Sequence, residues 1–246
     1  ASYDSAAIQL ADIFEDDCVD VITDRVVDVH LEENRAIGKE GATYEYDQIV
    51  LAMGSTSSYF HIEGVDELSF SFNSVERALL LRRHINEIFK KHKDADKDEL
   101  VIALHFVIVG GGASGTELAG ELITYARYLA RQHGLPESLV TVHLIDGNER
   151  LLSRLHPDVS ARAIARLRKL GVNLLLNRYL VREGSWTVTL RDMKLGAKTL
   201  IWTAGLTTQD LFHNIQGLLI NEKTKRVAVD EYLRAEGLNH VWVAGD

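Results

Sequence analysis

A single cysteine, Cys18, stands in 246 residues, so the chain closes no internal disulfide and builds no thiolate metal site. Excess positive charge is missing too. The 27 Lys and Arg residues face 36 Asp and Glu, for a net charge of −9. With no basic stripe along the chain, nucleic acid is excluded as an expected partner, and an acidic membrane surface is disfavoured. No apolar run reaches the ~18 residues needed to cross a bilayer. Residues Ala1–Ala7 lack the basic start and apolar core of a signal peptide. The ten histidines show no metal spacing such as His-Glu-x-x-His, and no Gly-x-Ser-x-Gly elbow offers a nucleophile. A reduced, cytoplasmic setting is the default that follows. Both ends read as cut: the chain starts without Met and stops at Asp246, directly after the strand-like HVWVAG. A piece of a larger protein is therefore expected.

What is present is an alternation of strand and helix patterns, with 46% hydrophobic residues, enough for one large core or two modest ones. Residues 19–31, rich in Val and Ile, predict one or two strands. DQIVLAMGS predicts a buried strand running into a glycine turn, and residues 55–73 predict a loop. Asn73 with Glu76 three residues on predicts a helix start. Val75, Leu79, Leu81, Ile85, Ile88 and Phe89 then follow at roughly helical spacing. The charged run KKHKDADKDE predicts a solvated link. HFVIVGGG reads as strand then glycine loop, followed by a helix ending at Gly134 and a second strand, VTVHLID. Pro157 opens another helix that closes on Gly171. VNLLLN is a third strand, residues 178–200 an antiparallel meander, and TLIWTAG a strand ending in glycine. This alternation predicts an α/β fold: a Rossmann-type parallel sheet with helices on both faces and a small meander.

Gly110, Gly112 and Gly115 form Gly-x-Gly-x-x-Gly after an apolar run and at the start of a helical pattern, the context that gives the motif meaning. The first glycine permits the tight turn, the second lets a pyrophosphate approach the backbone, and the third lets helix and strand pack closely. The loop Gly110, Gly111, Gly112, Ala113, Ser114, Gly115 is thus a candidate dinucleotide cradle on a helix N-terminus. Asp146, at the end of the next strand, is the candidate acceptor for ribose hydroxyls, although it comes later than the usual spacing of about 20 residues. The lengthened helix and the QHGLPES loop absorb the excess. A carboxylate there repels a 2′-phosphate and favours NADH over NADPH, with Arg150 and Arg154 nearby as the opposing consideration.

With these residues in place, YDQIVLAMGS, STSSYFHIEGV, FVIVGGGASGTELAGEL and VWVAGD together resemble the FAD-dependent pyridine nucleotide-disulfide oxidoreductases. The likeness is greatest to the type II NADH dehydrogenases, which are NADH:quinone oxidoreductases. The resemblance implies an NADH domain inserted into a discontinuous FAD domain. Residues 1–60 would end the first FAD half, 61–207 would form the NADH domain, and 208–246 would begin the returning FAD half. It also implies roles for further residues. Thr203, Ala204 and Gly205 match a turn near the nicotinamide, and Glu117 matches a catalytic carboxylate close to where nicotinamide meets flavin. Gly245 and Asp246 match the Gly-Asp pair that holds the flavin's ribityl chain. Ala52, Met53 and Gly54 match a turn usually read Ala-Thr-Gly, with Met replacing Thr.

In this reading hydride passes from NADH to FAD and electrons pass on, most naturally to quinone. The complete protein would work at the inner face of a membrane, touching it through segments outside this sequence, and the reading allows a homodimer. No FAD diphosphate motif occurs upstream of residue 105, so the chain by itself is expected to hold FAD weakly and to be inactive. Two alternatives stay open: a related reductase of an iron–sulfur protein or a disulfide, and a nucleotide-binding module without turnover.

Overall fold

The computed structural model describes residue 8 and residues 10–14, 18–222 and 224–245. The chain forms two compact units, Ser57–Gly205 and, from two segments, Ala1–Thr56 with Leu206–Asp246. Its first elements are α1 (Leu10–Ile13), β1 (Val26–His30), β2 (Arg35–Gly38), β3 (Thr43–Glu45), β4 (Ile49–Leu51) and β5 (Ser55–Ser57). There follow α2 (Val65–Leu68), β6 (Phe70–Ser71), α3 (Val75–Lys91), α4 (Lys97–Ala103), β7 (His105–Val109), α5 (Ala113–Gln132), β8 (Thr141–Asp146), α6 (Pro157–Leu170) and β9 (Asn173–Leu176). The chain then runs through β10 (Leu180–Gly184), β11 (Thr187–Leu190), β12 (Lys194–Gly196), β13 (Thr199–Trp202), β14 (Leu206–Thr208), α7 (Asp210–Asn214) and β15 (Val241–Val243).

The unit Ser57–Gly205 is built on a parallel sheet in the order β6-β13-β7-β8-β9. All five residues of β7 are buried, as a strand covered on both faces requires. Alternation along it divides two cores. Phe106 and Ile108 join Leu81, Ile85 and Phe89 of α3 and Leu122, Ile123 and Ala126 of α5. Val107 and Val109 face the other way, toward Val65 of α2 and Leu180, Val188, Leu190 and Leu195 of the antiparallel β10-β11-β12 meander. The neighbours of β7 come from opposite directions of the chain, β8 following it closely and β13 returning late. Its carboxyl end is therefore a topological switch point, where open α/β sheets form ligand crevices.

Several local expectations shift. The cap of α3 is Ser74, whose hydroxyl accepts the Arg77 N–H at 3.2 Å, not Asn73. Ser74 has the extended backbone of an N-cap and a hydroxyl within reach of the third helical N–H. The charged run is not a free link. Asp96 caps α4 by accepting the Glu99 N–H at 2.8 Å, and the Leu100, Ala103 and Leu104 side chains are buried. The expected loop 55–73 contains the short α2 and the edge strand β6. Of residues 19–31, only Val26–His30 is strand.

In the other unit, β1-β2-β3 form an antiparallel sheet and β15 runs parallel to β4. Val29, Leu31, Leu51, Phe212, Ile215 and Val241 make its core. Within DQIVLAMGS, Leu51 is buried while Val50 is 65% exposed, so this strand is covered on one side. Among the described residues, no helix is long and apolar enough to cross a membrane.

Candidate functional site

At the end of β7 the chain turns on Gly110, whose φ of +116° lies in the region that glycine enters without strain. A Cβ there would lie 2.7 Å from the backbone of Thr203 and Ala204. The Gly110 N–H donates to the Ile145 carbonyl at 2.8 Å, tying the loop to β8. Gly111 is held at both polar groups. Its N–H donates to Asp146 Oδ2 at 2.5 Å, and its carbonyl accepts the Leu152 N–H at 2.8 Å and the Thr116 hydroxyl at 3.3 Å. Gly115 has no room for a side chain, because a Cβ would run into the Gly110 carbonyl and the Thr203 hydroxyl.

Gly112 differs from both. It is the N-cap of the 20-residue α5, it makes no side-chain cap, and a Cβ there would meet nothing within 4 Å. Gly112, Ala113 and Ser114 are all exposed, and the first turn of α5 carries no acid. This is the open positive end of a long helix, which fits the diphosphate of a dinucleotide.

Asp146 is no surface-turn acid: it is 9% exposed. Besides the Gly111 N–H, it accepts the Asn148 N–H at 2.6 Å and the Asn148 side-chain amide at 2.7 Å, both on Oδ1. A carboxylate offers about four acceptor positions, so about one remains, on Oδ2, for a ribose hydroxyl. The Arg150 guanidinium donates to the carbonyls of Leu152, Ser153 and Leu155, while Arg154 is exposed. On the far side, Tyr179 lies so close to Gly147 that a Cβ there would approach its ring to 2.7 Å.

The third wall is the end of β13. The Thr203 N–H donates to the Val109 carbonyl at 2.9 Å, and its hydroxyl lies 2.9 and 3.1 Å from the Val109 and Gly110 carbonyls. Gly205, at φ +92°, packs against the Phe60 ring. The loop carrying Phe60 is anchored by the Trp202 indole N–H, which donates to the Ser58 carbonyl at 2.9 Å. Thus Gly110–Gly115, Asp146 and Thr203–Gly205 converge at the carboxyl end of one sheet. Glu117 lies one turn further along α5, exposed to solvent.

In the other unit, Ala52, Met53 and Gly54 follow β4, with Gly54 at φ +65°, and Gly245 follows β15 at φ +107°. The Ala244 N–H donates to the Leu51 carbonyl at 3.1 Å, so the two turns share one end of the parallel pair. Asp246 lies outside the described residues. The helices of this unit have four and five residues. Among the described residues it therefore presents no long helix end for the diphosphate of FAD, and a complete FAD site does not fit these residues alone.

Comparison with known proteins decides the family. The profile described as pyridine nucleotide-disulphide oxidoreductase matches residues 5–246. The chain belongs to that family. It is similar to the external alternative NAD(P)H-ubiquinone oxidoreductase B3, mitochondrial, of Arabidopsis thaliana, at 27% identity over 85% of this chain and 37% of that protein. It is also similar to a type II NADH:quinone oxidoreductase of Staphylococcus haemolyticus, at 26% identity over 100% of this chain and 61% of that one. The chain thus spans less than two thirds of either relative. In fold it resembles NDH2 from Plasmodium falciparum, solved in complex with NADH, with a TM-score of 0.82 and 23% identity over 92% of this chain and 49% of that one.

This pyridine nucleotide-disulphide oxidoreductase chain also uses residues that the sequence did not single out. Asn148, two residues after Asp146, carries a readable signal, since an Asp followed two residues on by a bonded N–H is an Asx turn. The contacts of Leu152 with Gly111 and of Trp202 with Ser58 have no local signature, because the fold alone brings those segments together.

Proposed function

We propose that Ser57–Gly205 is the NADH-binding domain of an NADH:quinone oxidoreductase, and that the flanking segments belong to its FAD-binding domain. The observation that carries this reading is the double role of the loop after β7. Gly111 gives its N–H to Asp146, while Gly112, Ala113 and Ser114 stay open at the start of α5. Diphosphate and ribose can then be held together, the first by free N–H groups and the second by the remaining acceptor position on Asp146. The buried negative charge of Asp146 disfavours a 2′-phosphate, so NADH is the preferred nucleotide.

Bound FAD would supply the hydride-accepting ring and the relay to a one- or two-electron acceptor. The chain's own residues bind and orient. Thr203 fixes the end of β13 against the glycine loop, Gly205 and Phe60 form an apolar wall beside it, and Glu117 presents a carboxylate from α5. Met53, Gly54, Gly245 and Asp246 would contribute to the flavin side. The relatives from Arabidopsis and Staphylococcus, named as ubiquinone and quinone oxidoreductases, support quinone as acceptor. A lipid-soluble quinone as acceptor supports work at a membrane surface, and the inner face is our proposal for the complete protein.

The test is NADH oxidation by the full-length protein with a soluble quinone analogue, an iron–sulfur protein and a disulfide offered separately. Turnover with the quinone alone is expected. Turnover only with one of the others would reassign the acceptor, and oxidation of NADPH in preference to NADH would reject the nucleotide assignment.

A further inference from the structure

We propose that Arg150 is a positioning residue of the nucleotide site, shaping the diphosphate loop from behind, and does not read a 2′-phosphate. This deepens the NADH-binding reading and rests on it. Arginine offers five donors in a rigid fork and no acceptor. Here Nη2 donates to the Ser153 carbonyl at 2.6 Å, and Nη1 to the carbonyls of Leu155 at 3.0 Å and Leu152 at 3.3 Å. A single half-buried side chain therefore gathers three carbonyls of the turn after β8.

That turn presses on the glycine loop. Leu151, fully buried, sits where a Cβ on Gly111 would come within 2.6 Å of its Cδ2. Leu152 holds φ at +52°, a conformation that costs a non-glycine residue about 1–2 kcal/mol and persists only where neighbours fix it. In that conformation its N–H reaches the Gly111 carbonyl at 2.8 Å. Gly111 is thus clamped between Leu152 on its carbonyl and Asp146 on its N–H. Diphosphate loop and ribose acid are linked through one residue, and Arg150 holds the turn that closes the clamp.

Without the guanidinium, the three carbonyls turn to water, Leu152 relaxes to negative φ, and the Gly111 carbonyl keeps only the longer bond from the Thr116 hydroxyl, at 3.3 Å. Both nucleotides use the same diphosphate, so both should suffer alike. An arginine that reads a 2′-phosphate must instead keep its fork free for that group, and its loss should weaken NADPH alone. The two roles differ in the NADPH-to-NADH affinity ratio.

The experiment measures NADH and NADPH dissociation constants by calorimetry on the full-length protein, for wild type, Arg150→Ala, Arg150→Lys and the exposed control Arg154→Ala. Arg150→Ala is expected to weaken both nucleotides about tenfold at an unchanged ratio, the scale of one lost charge-assisted hydrogen bond. Guanidinium ion in solution should restore part of that loss and leave wild type unaffected. Arg150→Lys, whose compact ammonium cannot span the three carbonyls, should fall between, with faster amide exchange at Leu152. A loss confined to NADPH, or an unchanged NADH affinity in Arg150→Ala, would overturn the proposal. Should the Ala variant fail to fold, Arg150→Lys decides. Faster exchange at Leu152 with weaker NADH binding supports the role, and either measurement unchanged refutes it. Wild type binding neither nucleotide would remove the NADH reading and this role with it, whereas a binding wild type with an indifferent Arg150→Ala removes this role only.

Discussion

The carboxylate of Asp146, at the tip of β8, takes the backbone N–H of Gly111 in the loop after β7 at 2.5 Å. One buried acid thus fixes the loop expected to cradle the diphosphate and keeps about one acceptor position for a ribose hydroxyl. Cofactor binding and local stability are coupled at this pair, and the first two predictions follow from it.

Replacing Asp146 by Ala leaves the Gly111 N–H and both Asn148 donors without their acceptor. The buried Gly111 N–H left unpaired costs about 1–3 kcal/mol, while the donors of the exposed Asn148 turn to water. The variant should melt at lower temperature and bind NADH weakly. Because the charge that repels a 2′-phosphate is gone, NADPH should lose less than NADH. Paired melting curves and titrations check both parts, and an unchanged preference for NADH would deny Asp146 its role in selectivity.

Two glycines of one motif should respond differently. Gly115→Ala forces a methyl against the Gly110 carbonyl and the Thr203 hydroxyl, and overpacking of this kind costs about 1–3 kcal/mol. Stability and NADH binding should both fall. Gly112→Ala meets open space at a φ of −71°, so the fold should tolerate it. If the diphosphate sits at the start of α5 as proposed, the added methyl would stand in its way, and binding should weaken with the melting temperature unchanged. Calorimetry and thermal denaturation of the two variants side by side separate these outcomes.

Glu183, on β10, is 6% exposed, its Oε2 has no partner among the described residues, and burial pushes its carboxyl up to about 8. The folded protein holds this proton after the unfolded chain has released it. Stability should therefore fall as pH rises from the ordinary glutamate value toward 8, by up to about 1.4 kcal/mol per pH unit. Urea denaturation between pH 6.5 and 8 should show the slope in wild type and a flatter line in Glu183→Gln.

A histidine pair at the opposite end of the sheet should act on the acid side. His105 Nδ1 lies 2.7 Å from the Gly196 carbonyl and so carries the proton, which leaves Nε2 to accept from His143 Nδ1 at 2.7 Å. Burial first, and then the charge of His105, lowers His143 to about 4. The unfolded chain takes up this proton near its ordinary value of about 6.5 while the folded one does not. Stability from this site is complete above that value and is lost as pH falls from there toward 4. In the Glu183→Gln background, where the opposing slope is removed, a further His143→Gln change should flatten the dependence between pH 4 and 6.5.

Much of the sheet could be read directly because its signals are local. The buried runs of β7, β8 and β13, the glycine at +116° after β7 and the Gly171 cap of α6 each announce themselves in a few residues. The positions of Gly110, Gly115 and Asp146 followed from the motif, but the bonding of Asp146 did not. Its carboxylate serves the protein's own N–H groups before any ligand, a fact visible only once β7 and β8 lie side by side. The start of α3 lies one residue later than expected because Asn73 and Ser74 are both good cap residues, and it is the Ser74 hydroxyl, on extended backbone, that accepts the Arg77 N–H. The helix α4 was hidden because its apolar face is short, with Leu100 and Ala103 buried behind a charged first turn. The role of Arg150 was out of reach because its acceptors are backbone carbonyls, which leave no mark on sequence.

The central claim, that the glycine loop of the unit Ser57–Gly205 binds NADH at the start of α5, is tested most directly by amide hydrogen exchange with and without NADH. Binding should slow exchange at Gly112, Ala113 and Ser114, whose N–H groups would then be bonded to the diphosphate. It should leave Gly111, already bonded to Asp146, nearly unchanged. Unaltered exchange at all three amides under saturating NADH, or protection confined to residues away from the carboxyl end of the sheet, would contradict the account.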